Sequence, residues 1–191
     1  PMEEAYLEVR FSKLWRKRAF WLSLLFAAEI VTFSVMVAFE ETLSKVVALS
    51  LFIPLCISTG GNSGSQASTL IIRAMALGEI KPRDWLRVVR HELLMGVALG
   101  LTLGVIAFAR AYFTPSDKLL GVGNWQLAVI ISQAVLAICL WGTLVGSLLP
   151  LVFRKFNIDP ALASGPFVAT FVDVTGIFIY FTIAQAWLDQ I

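Results

Sequence analysis

Apolar residues in this chain gather into five long blocks: Ala19 to Phe39, Val46 to Ala76, Leu93 to Phe113, Leu127 to Phe153 and Ala161 to Leu188. A hydrocarbon layer about 30 Å thick is crossed by about 20 residues of helix, so each block is long enough to span it. No segment reads as alternating ten-residue strands, which argues against a barrel. The pattern predicts an all-α integral membrane protein with five transmembrane helices. The first block is too long for a signal peptide, carries Glu29 at its centre and leads to no cleavage-like site. Residues 1–18 differ from the rest. Leu7, Phe11, Leu14 and Trp15 recur at helical spacing among Glu, Arg and Lys, predicting a short amphipathic helix. It either lies on the cytoplasmic membrane surface or connects the membrane domain, residues 19–191, to a part upstream of Pro1.

Composition supports the same conclusion. Of 191 residues, 58% are hydrophobic and 15% charged, with mean hydropathy +0.81. A soluble domain carries about 25% charge, so a water-soluble globule and a disordered chain are both excluded. The net charge of +2 gives no basis for a nucleic-acid partner. Cys56 and Cys139 lie singly in apolar runs, forming neither a disulfide framework nor a zinc site. The basic residues orient the chain. Twelve of fifteen fall before the first span, between the second and third, or between the fourth and fifth; Lys45, Arg110 and Lys118 remain for the other side. Positive charge collects on the cytoplasmic side, which predicts a cytoplasmic N-terminus and an external C-terminus.

Two spans are unusual inside. The second contains Pro54 and then seven consecutive glycine or polar positions from Gly60 to Gln66. Unsatisfied backbone at membrane depth costs several kcal/mol per group, so irregular backbone survives only when packed in protein or lining water. The alternative is a tight helix crossing built from small residues. The fifth span has Pro160, Ser164-Gly165-Pro166 and Asp173-Val174-Thr175-Gly176, and two such interrupted segments point to a transport site. Asp173 lies near mid-span with no Arg or Lys at comparable depth, leaving a cation, a proton or water as its counterpart. Glu29 is the other mid-span acid and a secondary candidate. The Gly96, Gly100, Gly104 stripe and Gly142 with Gly146 predict close packing. His91, the only histidine, falls in a basic loop.

Around the interrupted spans the ligands are carboxylate, amide, hydroxyl and carbonyl oxygens. Such a set suits hard cations such as Mg²⁺, Ca²⁺ or Mn²⁺ rather than Zn²⁺ or Cu⁺. Mg²⁺ sheds water reluctantly, so few carboxylates and a polar lining suffice. One Asp per chain also makes a symmetric dimer attractive, because it brings two carboxylates to one divalent ion.

The run Pro54, five residues, Gly60-Gly61-Asn62-x-Gly64-x-Gln66 resembles the signature of the MgtE magnesium transport proteins. So does Ala163-Ser164-Gly165-Pro166-Phe167 followed by Asp173-Val174-Thr175-Gly176. The resemblance implies a homodimeric, channel-like pore for Mg²⁺ through the cytoplasmic membrane, with Mn²⁺, Co²⁺ or Ca²⁺ as substitutes. It assigns the ion to Asp173 and the pore lining to Gly60, Gly61, Asn62, Gln66, Ala169 and Thr170. It implies a cytosolic Mg²⁺-sensing region, not contained in these residues, which the helix at residues 2–18 would join to the first span. Many members of the family carry a polar residue before the Asp, where this chain has Val172.

Two other classes compete. Gly61-Asn62-Ser63-Gly64 matches the Gly-x-Ser-Gly pattern of rhomboid proteases. A serine nucleophile needs a base within hydrogen-bond reach, and the one histidine falls in a loop, so no enzyme is expected. A proton-coupled transporter of another small solute, using Asp173 and Glu29 as proton carriers, is the second.

Overall fold

The computed structural model describes residues 10–41, 46–115, 119 and 122–189, all without a strand. Residues 1–9 of the expected connecting helix, and the basic residues Lys45 and Lys118, lie outside the described residues. Five helices are long and apolar enough to cross a membrane. They are α1 (Phe11–Ala38), α2 (Val47–Ala76), α3 (Trp85–Tyr112), α4 (Asn124–Lys155) and α5 (Gly165–Leu188). Short 3₁₀ turns at Pro82–Asp84 and Pro160–Leu162 precede α3 and α5.

The helices differ from the apolar blocks at their ends. α3 begins eight residues before Leu93, and α1 runs unbroken through residues 11–18 into the first span. Hydropathy marks only the part that sits in hydrocarbon, whereas backbone hydrogen bonding carries a helix on until a cap stops it. The stops are specific. After α2, Gly78 takes φ +77°, and the Gly78 and Glu79 amides donate to the carbonyls of Met75 and Ala74. After α4, Asn157 takes φ 57°, and the Asn157 and Ile158 amides donate to Arg154 and Phe153. Both are paired reverse bonds of the Schellman type, which need a left-handed residue at their centre. α5 begins later than the apolar block, because Asp159 accepts from the Ala161 amide at 2.9 Å and Pro166 occupies its first turn.

The expectation of interrupted spans is not met. Residues 58–66 form the middle of an unbroken α2, and Asp173–Gly176 lie inside an unbroken α5. Pro54 is also absorbed within α2. It removes one amide from the ladder, and the buried Tyr180 hydroxyl donates to the neighbouring Leu49 carbonyl at 2.7 Å.

α4 is the hub, packed against α2, α3 and α5, while α1 rests on α5. Burial follows that order: 56% of the apolar window of α4 is buried, against 6% in α1. Glycines set the spacing. Gly96 and Gly100 of α3 sit against Leu140 and Leu136 of α4, and Gly104 against Ser132. The stripe predicted for close packing is therefore an intramolecular crossing. Stacked rings tie α1 to α5 at both ends, Trp21 on Phe167 at 6.0 Å and Phe39 on Phe181 at 4.9 Å. These two helices therefore run parallel.

Candidate cation site

An open cavity of about 430 Å³ lies between α1, α2 and α5. Each helix contributes one face. α1 supplies Glu29, Thr32 and Met36, and α5 supplies Ala169, Asp173 and Ile177. α2 supplies Pro54, Ser58, Gly61, Asn62 and Ser65, with Ile53 and Ile57. These intervals of three and four residues are what one helical face exposes.

Asp173 sits about 12 Å along α5 from its first residue, at 1.5 Å per residue. Its side chain is half-buried and has neither a hydrogen bond nor an ion pair among the described residues. Gly61 makes room for it: a methyl added there would lie 3.1 Å from Asp173 Oδ1 and 3.5 Å from the Ala169 methyl. Glu29 faces the same cavity, its Oε2 accepting from Thr32 Oγ1 at 3.2 Å. Asn62 donates from Nδ2 to Ser58 Oγ at 3.3 Å.

The setting of α5 against α2 and α4 is held by polar contacts. Ser65 Oγ donates to the Gly165 carbonyl at 3.0 Å, and Ser68 Oγ to that of Ala163 at 2.5 Å. Trp141 Nε1 donates to Thr175 Oγ1 at 2.7 Å. Together with the Tyr180 bond, these fix the rotation that turns Asp173 toward the cavity and buries Val172. Val172 faces Gly60 and clusters with Val145 and Val168 instead, so the position before the aspartate is not part of the cavity lining.

The other expected lining residues separate. Gly61, Asn62 and Ala169 join Asp173 and Glu29. Gln66 lines a second cavity of about 420 Å³ with Thr59, Asn62, Ser63, Leu99, Leu103 and Cys139. Asn62 therefore borders both. Gly60 is buried against α4 and α5 and borders neither cavity. Thr170 is half-buried and also borders neither. Thr32, Ser58 and Ser65 complete the oxygen lining without having been singled out in the sequence. Their signal was register: three residues after Glu29, four before Asn62 and four after Gly61. The Ser63 hydroxyl donates to the carbonyls of Gly60 and Cys139 at 3.0 and 3.3 Å, and neither partner is a base.

Every polar group facing Asp173 presents oxygen, the ligand class of hard cations. No three His, Cys, Asp or Glu cluster among the described residues, so one chain offers no cage for a bare ion. At about 30 Å³ per water the cavity has room for roughly a dozen waters.

A family model described as MgtE, divalent cation transporter, matches residues 53–183. The chain is 39% identical over 186 residues to the magnesium transporter MgtE of Thermus thermophilus, covering 97% of this chain and 40% of that protein. It is 32% identical over 176 residues to the magnesium transporter MgtE of Enterococcus faecalis, covering 90% of this chain and 36% of the relative. With the Bacillus subtilis magnesium transporter MgtE the figures are 28% over 175 residues, covering 92% and 37%. The chain thus spans about two fifths of the length of these relatives.

Proposed function

This chain belongs to the MgtE family of divalent cation transporters, and on that premise we propose that it forms a channel-like pathway for Mg²⁺ across the cytoplasmic membrane. The observation that carries the reading is Asp173: a carboxylate at mid-span, unpartnered among the described residues and facing an open cavity whose polar lining presents oxygen. A carboxylate at that depth costs about 3 kcal/mol to insert, so it needs a counterpart. A hydrated Mg²⁺ supplies two positive charges, and its waters donate to Asp173, Glu29 and the Asn62 amide oxygen.

A homodimer completes the site. The cavity is open to one side of a single chain, and α1 is mostly exposed around it. Two copies meeting there bring two Asp173 carboxylates to one ion. Gly61, Asn62 and Ala169 line the path beside the ion, and Gln66 lines it through the second cavity. The basic ends of the helices face the cytoplasm, and the first turns of α1 connect to cytosolic regulation. Mn²⁺, Co²⁺ and Ca²⁺ are candidate substitutes of the same ligand class.

The test is flux into proteoliposomes of Mg²⁺ alone and against Ca²⁺, Mn²⁺ and Co²⁺, with and without a pH gradient. We expect Mg²⁺ flux down its own gradient, independent of pH difference. The pairing of Glu29 with Asp173 in one cavity favours a second reading, proton-coupled transport of another solute. Proton-driven transport with no divalent flux would establish that reading and remove the first.

A further inference from the structure

A cavity near the basic end of the bundle lies apart from Asp173. It is a groove of about 560 Å³ between the turn that precedes α3 and the last two turns of α4. Its walls are Pro82, Trp85, Leu148, Leu151 and Val152, and its rim carries Arg83 and Lys155. We propose that this groove binds an anionic phospholipid, its phosphate held by Arg83 and Lys155 and an acyl chain laid along the apolar wall.

The groove has the polarity profile of such a lipid. Lys155 is the last residue of α4 and Arg83 lies in the adjoining turn, whereas Leu148 sits two turns deeper, about 10 Å along the helix. Charge at the mouth therefore grades into pure hydrocarbon wall over the distance from a headgroup to the first methylenes. Neither the Arg83 nor the Lys155 side chain has a hydrogen bond or ion pair among the described residues. The acids nearest to them in sequence, Asp84 and Asp159, pair with neither; each accepts a backbone amide instead, from Lys81 at 3.0 Å and from Ala161 at 2.9 Å. Trp85 and Val152 stay 54% and 43% exposed, so the wall opens outward to the surrounding bilayer. An indole at this level is the side chain that prefers a membrane–water interface. Basic pockets between transmembrane helices bind anionic headgroups. A free phosphate could satisfy the two cations but would leave the apolar wall uncovered.

The experiment is native mass spectrometry of the full chain in detergent, titrated with phosphatidylglycerol or phosphatidylcholine of matched acyl chains. We expect phosphatidylglycerol to be retained about thirtyfold better, the scale of two cations near an anionic surface. Arg83→Gln with Lys155→Gln should erase that preference while gel filtration and helix content stay unchanged, and Arg83→Lys should keep it. Val152→Trp, which fills the groove without touching charge, should also weaken retention. Arg16→Gln with Arg18→Gln removes the same charge from α1 and should leave retention intact. Equal retention of both lipids, or equal losses from the α1 and groove pairs, would show surface charge alone and overturn the proposal. Displacement of the lipid by millimolar inorganic phosphate or glycerol phosphate would assign the cations to free phosphate and overturn it as well. The readout is binding without flux, so its outcome is independent of whether Mg²⁺ is transported.

Discussion

The two sides of α2 use the same kind of residue for opposite purposes. Gly60 and Gly64 face α4 and α5, where an added methyl at Gly64 would come within 2.9 Å of the Gly142 carbonyl oxygen and of Val168. On α4, a methyl at Gly146 would run into the backbone of Gly64, and one at Gly142 into the Gly60 carbonyl. Backbone cannot move aside, so these glycines are what allow the helices to touch. Gly61, one residue from Gly60, faces Asp173, and there the missing side chain leaves room for a carboxylate and its surroundings. One side of the helix is closed by backbone contact, while the other borders an open cavity whose polar groups present oxygen. A glycine-rich run in a membrane helix therefore need not be unwound to serve a site: a regular helix presents closure and access on separate faces.

The comparison can be broken in order of expected effect. Asp173→Asn keeps the shape of the open side and removes its charge. Flux of Mg²⁺ into proteoliposomes should fall about a hundredfold, the scale of losing one member of a desolvated charge pair, with the folded protein recovered at normal yield. Full flux at equal membrane amount would show that the open side does not act through its carboxylate. Gly146→Val acts on the sealed side and should lower stability by about 1–3 kcal/mol, the cost of overpacking. It would be read as a drop in thermal midpoint in detergent, and an unchanged midpoint would mean that the helices are not in backbone contact there. Gly61→Val should do the reverse, cutting flux about tenfold through displacement of the carboxylate while moving the midpoint by less than Gly146→Val. If Gly61→Val proved the more unfolding of the two, the division between the faces would be wrong.

Much of this architecture was legible in the chain. Five apolar blocks sufficed for five spans, because a hydrocarbon layer tolerates little else of that length. Asp173 stood out because an acid without a basic partner is rare at mid-span. The glycine stripe on α3 was legible as close packing, though not which helix would receive it. The Gly60–Gln66 run was harder. Composition alone could not separate irregular backbone from a tight crossing, and the crossing with α4 is what holds that segment helical.

What the sequence by itself determined is the class of molecule, the number of spans, the end at which basic residues collect and the acid that needs a counterpart. These follow from transfer free energies that act residue by residue. What only the tertiary structure decided is the rotation of each helix about its axis. Each residue turns a helix by about 100°, so Gly61 and Gln66 point about 140° apart and line different cavities. Glu29 shares a cavity with Asp173 only because α1 docks on α5 in parallel. Lipid accepts any apolar face equally, so hydropathy carries no phase; the contacts of Gly64 with Gly142, Trp141 with Thr175 and Tyr180 with Leu49 supply it.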